Sequence, residues 1–79
     1  MNNKLNTQIG YEMRTQRLIR RLTLTEVAKR LDKAKNTVSY WELGKTMITV
    51  EDLKSYCDAV GCNWIEVLEN VNKKDTPTE

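Results

Sequence analysis

Seventy-nine residues, 39% of them hydrophobic and with one proline and three glycines, are enough for one small core, and the periodic clustering of the apolar residues excludes a disordered chain. No run of about eighteen apolar residues is present, which excludes a membrane-spanning helix, and the opening MNNKLNTQIG lacks a charged-then-apolar leader, so a cytoplasmic protein is expected. The net charge of +2 hides an asymmetry, because residues 1–48 carry ten Lys and Arg against four Asp and Glu while residues 49–79 carry three against seven, a pattern suggesting one face built for a polyanion.

Alternating β-branched residues are missing, so every element is expected to be helical. Residues 1–6 are polar and read as a flexible N-terminus. Helix 1 is predicted from an N-cap at Asn6 or Thr7 to about Arg20 or Arg21. Ile9, Met13 and Arg17 fall on one stripe, with Gln16 beside them; a buried arginine there requires a partner. Gly10 weakens a helix but permits close approach of a neighbouring segment. Leu18 and Ile19 fall off the stripe and are expected at least partly exposed.

The stretch LTLTEVAKRLDKAKNTVSYWELGK, Leu22 to Lys45, reads as two short helices joined by a tight turn. Thr23 and Glu26 have the spacing of a capping box, after which Val27, Ala28 and Leu31 recur at helical intervals. Asp32-Lys33-Ala34 breaks the run. The next helix turns Val38 and Trp41, with Thr37 beside them, inward, and Gly44 ends it in the left-handed conformation that glycine accepts. Helices of about two turns cannot stand alone, so this pair must lean on the rest of the chain and present one helix outward.

Lys45 to Ile48 form a connector. Thr49 caps a fourth helix with Asp52 three residues on; Leu53, Tyr56, Cys57 and Val60 make its apolar face, and Gly61 closes it. Asn63 caps a fifth helix, with Glu66 at its third position. Trp64, Ile65, Val67, Leu68 and Val71 make that helix apolar on more than one side, which suggests deep burial or a dimer contact through Trp64, Ile65 and Val71. Residues 72–79 read as a flexible tail. The domain therefore spans residues 7–71.

Chemistry other than binding finds no support. The chain has no histidine and no glycine-rich phosphate loop, and neither Cys57 nor Cys62 has an activating base in view, so no enzyme, cofactor or metal is expected. The C-x4-C pair falls short of a four-ligand zinc site, and the plain reading is two small buried hydrophobes.

The motifs LTxxEVAxxL, NTVSYWELGK and LxxYCDAVGCxWxEVL, in this order, resemble the helix-turn-helix domain of the lambda-repressor and Cro-type (XRE-like) family of bacterial and phage regulators, with the match running from Ile9 to Leu68. The resemblance implies an all-α, compact five-helix bundle whose third helix enters the DNA major groove. It assigns base contacts to Lys35, Asn36, Ser39 and Tyr40. Their chemistry fits, since Lys reaches guanine O6/N7 and Asn grips adenine N6/N7; these positions share one face while 38 and 41 point away. A polar solvent face is the alternative reading of the same four residues. Phosphate contacts are expected from Thr23 and Thr25 at the start of helix 2, from Lys45 and Thr46, and from Arg14 and Arg21. The family also implies an ion pair between Arg17 and Glu42.

Three positions depart from the family pattern: Leu24 stands where glutamine is usual, Ala34 where Ser or Thr often caps helix 3, and Arg21 where glycine is usual. They bear on affinity and docking rather than on the fold. The function implied is sequence-specific binding of double-stranded DNA by a small transcriptional regulator, a repressor acting as a homodimer on a palindromic operator. The alternative is a protein-interaction module of antitoxin type, with Leu18, Ile19 and Leu24 as its partner patch.

Overall fold

The computed structural model describes residues 3–75. They form α1 (Asn3–Ile19), α2 (Leu24–Leu31), α3 (Lys35–Leu43), α4 (Val50–Val60) and α5 (Trp64–Asp75). The expected five-helix, all-α architecture is present, with no strand among the described residues. α1 is the spine: it packs chiefly on α3 and α5, while α2 bridges α3 and α4. Met13, Val27, Val38, Tyr56 and Val67 are fully buried where these helices meet, and Trp41, Leu53, Cys57 and Val60 close the core around them.

α1 starts at Asn3, three residues before the earliest predicted cap. The reason is that Asn6 is not a cap. Its Nδ2 donates to the carbonyls of Gly44 and Thr46, each at 3.1 Å, tying α1 to the end of α3. At the other end α5 continues through Asp75 instead of stopping at 71, because nothing before Pro77 breaks a helix. Residues 3–6 and 72–75, expected in flexible termini, are therefore helical. Residues 1–2 and 76–79 lie outside the described residues.

The helix ends follow from local chemistry. Thr23 Oγ1 accepts from Glu26 N at 3.1 Å, and the Glu26 carboxylate accepts from Thr23 N at 2.8 Å, completing the capping box of α2. These bonds hold the Glu26 carboxyl below its ordinary range. α1, α2 and α3 each end in paired bonds of Schellman type, with Leu22, Lys33 and Lys45 donating five residues back. Gly44 supplies the left-handed residue for α3, at φ 75°. Arg21 (φ 59°) and Asp32 (φ 58°) supply it for α1 and α2 at a conformational cost that glycine would not carry.

α1 and α3 cross at Gly10. A Cβ built there would lie 2.5 Å from the Glu42 carbonyl oxygen and closer still to that of Trp41, so only glycine lets the two backbones approach this far.

Candidate nucleic-acid interface

Two features fix how α3 is rotated. Val38 and Trp41 are buried in the core. Between them and α1, Glu42 is gripped as a charge: Arg17 Nε donates to its Oε2 at 2.8 Å and Arg17 Nη2 to its Oε1 at 3.0 Å. The Tyr56 hydroxyl donates to the same Oε2 at 2.5 Å. Arg17 Nη1 donates to the Leu22 carbonyl at 2.7 Å. The arginine on the apolar stripe of α1 thus has the partner that its burial demands. Glu42, helped by Tyr56 and opposed by burial, holds Arg17 above its already high ordinary pKa, and burial with the bond to Glu42 pushes the Tyr56 phenol well above its own.

With that face locked inward, the opposite face of α3 is set. Lys35 and Asn36 are exposed, Ser39 is half-buried, and Tyr40 is 44% exposed. The four share one outward side. Lys45 lies just past the helix end with its Nζ 5.8 Å from the centre of the Tyr40 ring, a cation–π distance. The first turn of α3 contains no acidic residue, and Ala34 makes no side-chain cap, so the positive end of the helix is left open beside Lys35 and Asn36.

The residues assigned to phosphate are distributed less evenly. Lys45 and Thr46 are exposed beside α3, and Thr25 is exposed on the first turn of α2. Arg14 is exposed one turn beyond Gly10, on the α3 side of α1. Arg21 is exposed in the left-handed turn after α1. Thr23 differs from expectation: its hydroxyl is committed to the cap, and the Glu26 carboxylate already occupies that helix end, where a phosphate would meet like charge. Leu24 is half-buried against the core instead of lying on an exposed patch with Leu18 and Ile19, both of which are exposed.

On α5, Ile65 is 50% exposed, and half-buried Trp64 stacks under Lys54 Nζ at 5.3 Å. Val71 is only 3% exposed, so it belongs to the interior of this fold and drops out of the candidate dimer surface. Sequence reasoning missed two structural groups. Glu12 is buried and accepts from Gln16 at 3.0 Å and Asn70 at 2.9 Å, joining α1 to α5. Tyr56, expected only on the apolar face of α4, also donates its hydroxyl to Glu42. Neither carries a local signal. Among the described residues, no cluster of three or more His, Cys, Asp or Glu is placed to hold a metal, and no helix is long and apolar enough to cross a membrane.

A helix-turn-helix family model matches residues 13–67. Two crystal structures described as the clp gene regulator ClgR from Corynebacterium glutamicum are similar. One has a TM-score of 0.87 and 26% identity over 94% of this chain and 96% of that one. The other has 0.83 and 27% over 89% and 74%. No curated protein matches by sequence.

Proposed function

The chain belongs to the helix-turn-helix family, whose model covers residues 13–67, and from this membership we propose that it is a transcriptional regulator that binds double-stranded DNA through α3. The observation that carries the reading is the division of α3. Trp41, Val38 and Glu42 are locked inward while Lys35, Asn36, Ser39 and Tyr40 turn outward. A helix held this rigidly presents its polar side chains at fixed positions, which base recognition requires. The similarity to a protein described as a gene regulator supports a role in transcription.

In this reading Asn36 and Lys35, at the open end of α3, meet base edges, with Ser39 and Tyr40 one turn further along the groove. Lys45, Thr46, Thr25, Arg14 and Arg21 hold the phosphates, and Thr23 acts by shaping the end of α2. One domain of this size spans few base pairs. We therefore assign it as a homodimeric repressor on a palindromic operator, its half-sites about one helical turn, ~34 Å, apart. Ile65 and Trp64 are the candidate contact. The test is selection of bound duplexes from a random pool at near-physiological salt. A palindromic consensus is the expected result; weak binding without enrichment would overturn specific recognition.

A second reading rests on the exposed Leu18 and Ile19 at the end of α1. In it the domain chiefly holds a protein partner. Steep loss of DNA affinity with rising salt argues for the first reading, through counterion release.

A further inference from the structure

We propose that Cys57 and Cys62 form an oxidation site, a dithiol that closes to an intramolecular disulfide when the protein meets a peroxide. The inference is independent of the DNA reading. Cys57 lies in the last turn of α4 with its side chain in the core, and Cys62 follows the left-handed Gly61, half-exposed. The Gly61 and Cys62 amides both donate to the Cys57 carbonyl, at 2.7 and 2.9 Å. A chain reversal closed in this way brings the side chains of its first and last residues together, and Cys62 packs against the buried cluster that contains Cys57.

The surroundings divide the roles. Cys62 lines an open surface hollow with Arg20, Trp64 and Glu66, so a small oxidant can reach it. Arg20 is anchored there by its bonds to the carbonyl and side-chain oxygens of Gln16, at 3.1 and 2.8 Å. The neighbouring Cys57 holds the Cys62 thiol below its ordinary range, with Arg20 helping and burial opposing. Cys62 and burial push Cys57 up. Half-exposed beside the hollow, Cys62 is the attacking sulfur, and the buried Cys57 is the resolving one.

The Cys62 thiolate attacks one peroxide oxygen. The O–O bond breaks, the other oxygen leaves as water after taking a proton, and Cys62 becomes a sulfenic acid. The Cys57 sulfur then attacks the Cys62 sulfur. The S–O bond breaks, and the departing hydroxide takes the Cys57 proton. Two thiols have lost two electrons and two protons, and one hydrogen peroxide has become two waters.

The test treats the full chain with a small excess of hydrogen peroxide, in the presence and absence of dimedone, and reads intact mass and free thiols. The expected wild-type product is a monomer lacking two hydrogens and both free thiols, restored by dithiothreitol, with little dimedone adduct. Cys57→Ser should accumulate a dimedone-trapped sulfenic acid at Cys62, and Cys57→Ala serves in its place if serine disturbs the core. Cys62→Ser should leave the buried Cys57 unmodified. Equal dimedone trapping in wild type and Cys57→Ser, a disulfide-linked dimer as the product, or two unmodified thiols would each overturn the proposal.

Discussion

Tyr56 and Arg17 hold the same atom: the phenol of Tyr56 and the Nε of Arg17 meet Glu42 Oε2 at 2.5 and 2.8 Å. One residue comes from α4 and the other from α1, and the carboxylate they share belongs to α3. The outward face of α3 is therefore set by three helices at once. Removing Glu42 strands a buried guanidinium, so Glu42→Ala is expected to destabilise the fold by about 3–5 kcal/mol, whereas Tyr56→Phe, which keeps the ion pair, should cost about 1–3 kcal/mol. Urea denaturation checks both; an unchanged midpoint for Glu42→Ala would remove the pair from the stability of the fold.

The Tyr56 phenol also dictates an alkaline limit. Burial, with the bond to Glu42, raises its pKa in the folded state. The folded protein keeps this proton where the unfolded chain loses it, above about pH 10. Stability from this group is complete below that pH and falls above it, by about 1.4 kcal/mol per pH unit for one proton. Wild type should therefore lose stability faster than Tyr56→Phe between pH 10 and 11. Parallel stability–pH curves for the two would contradict the assignment.

Gly10 sets the spacing of the same two helices. Gly10→Ala would drive a methyl group into the carbonyls of Trp41 and Glu42. Backbone oxygens cannot rotate away, so the expected loss is at least about 1–3 kcal/mol, despite the better helix propensity of alanine. Thermal melting of the variant reads this directly.

Arg21 offers the opposite sign. It holds φ 59° after α1 while its side chain is exposed, so Arg21→Gly is expected to stabilise the domain by about 1 kcal/mol. If Arg21 also holds a phosphate, as proposed, the same variant binds DNA less tightly while melting higher. A lowered melting temperature would mean that its side chain does more for the fold than its exposure suggests.

What was legible in the sequence was mostly local. The capping box at Thr23 and Glu26 and the glycine stops at 44 and 61 are written within a few residues of one another, and each is found in the fold. The need of Arg17 for a partner followed from its place on an apolar stripe, but Glu42 came only from the family resemblance. Other features depend on contacts between residues far apart in sequence. Asn6 looked like a cap because its bonds to Gly44 and Thr46 reach 38 and 40 residues ahead. Val71 looked available because a helix apolar on several sides does not say which side is covered. The outward residues of α3 are legible as one face, and the spacing of Thr23 and Glu26 already places a carboxylate at the helix end where a phosphate is expected.

Asn36→Ala tests whether the outward face of α3 reads bases. Affinities of wild type and variant are compared on the selected duplex and on a scrambled duplex at one salt concentration. Loss of a bidentate base contact predicts a penalty of about 1–3 kcal/mol, roughly 5- to 150-fold, on the selected duplex. Binding to the scrambled duplex, which rests on phosphate contacts, should be little changed. Equal affinities of wild type and variant for the selected duplex, or equal losses on both duplexes, would contradict base reading by Asn36.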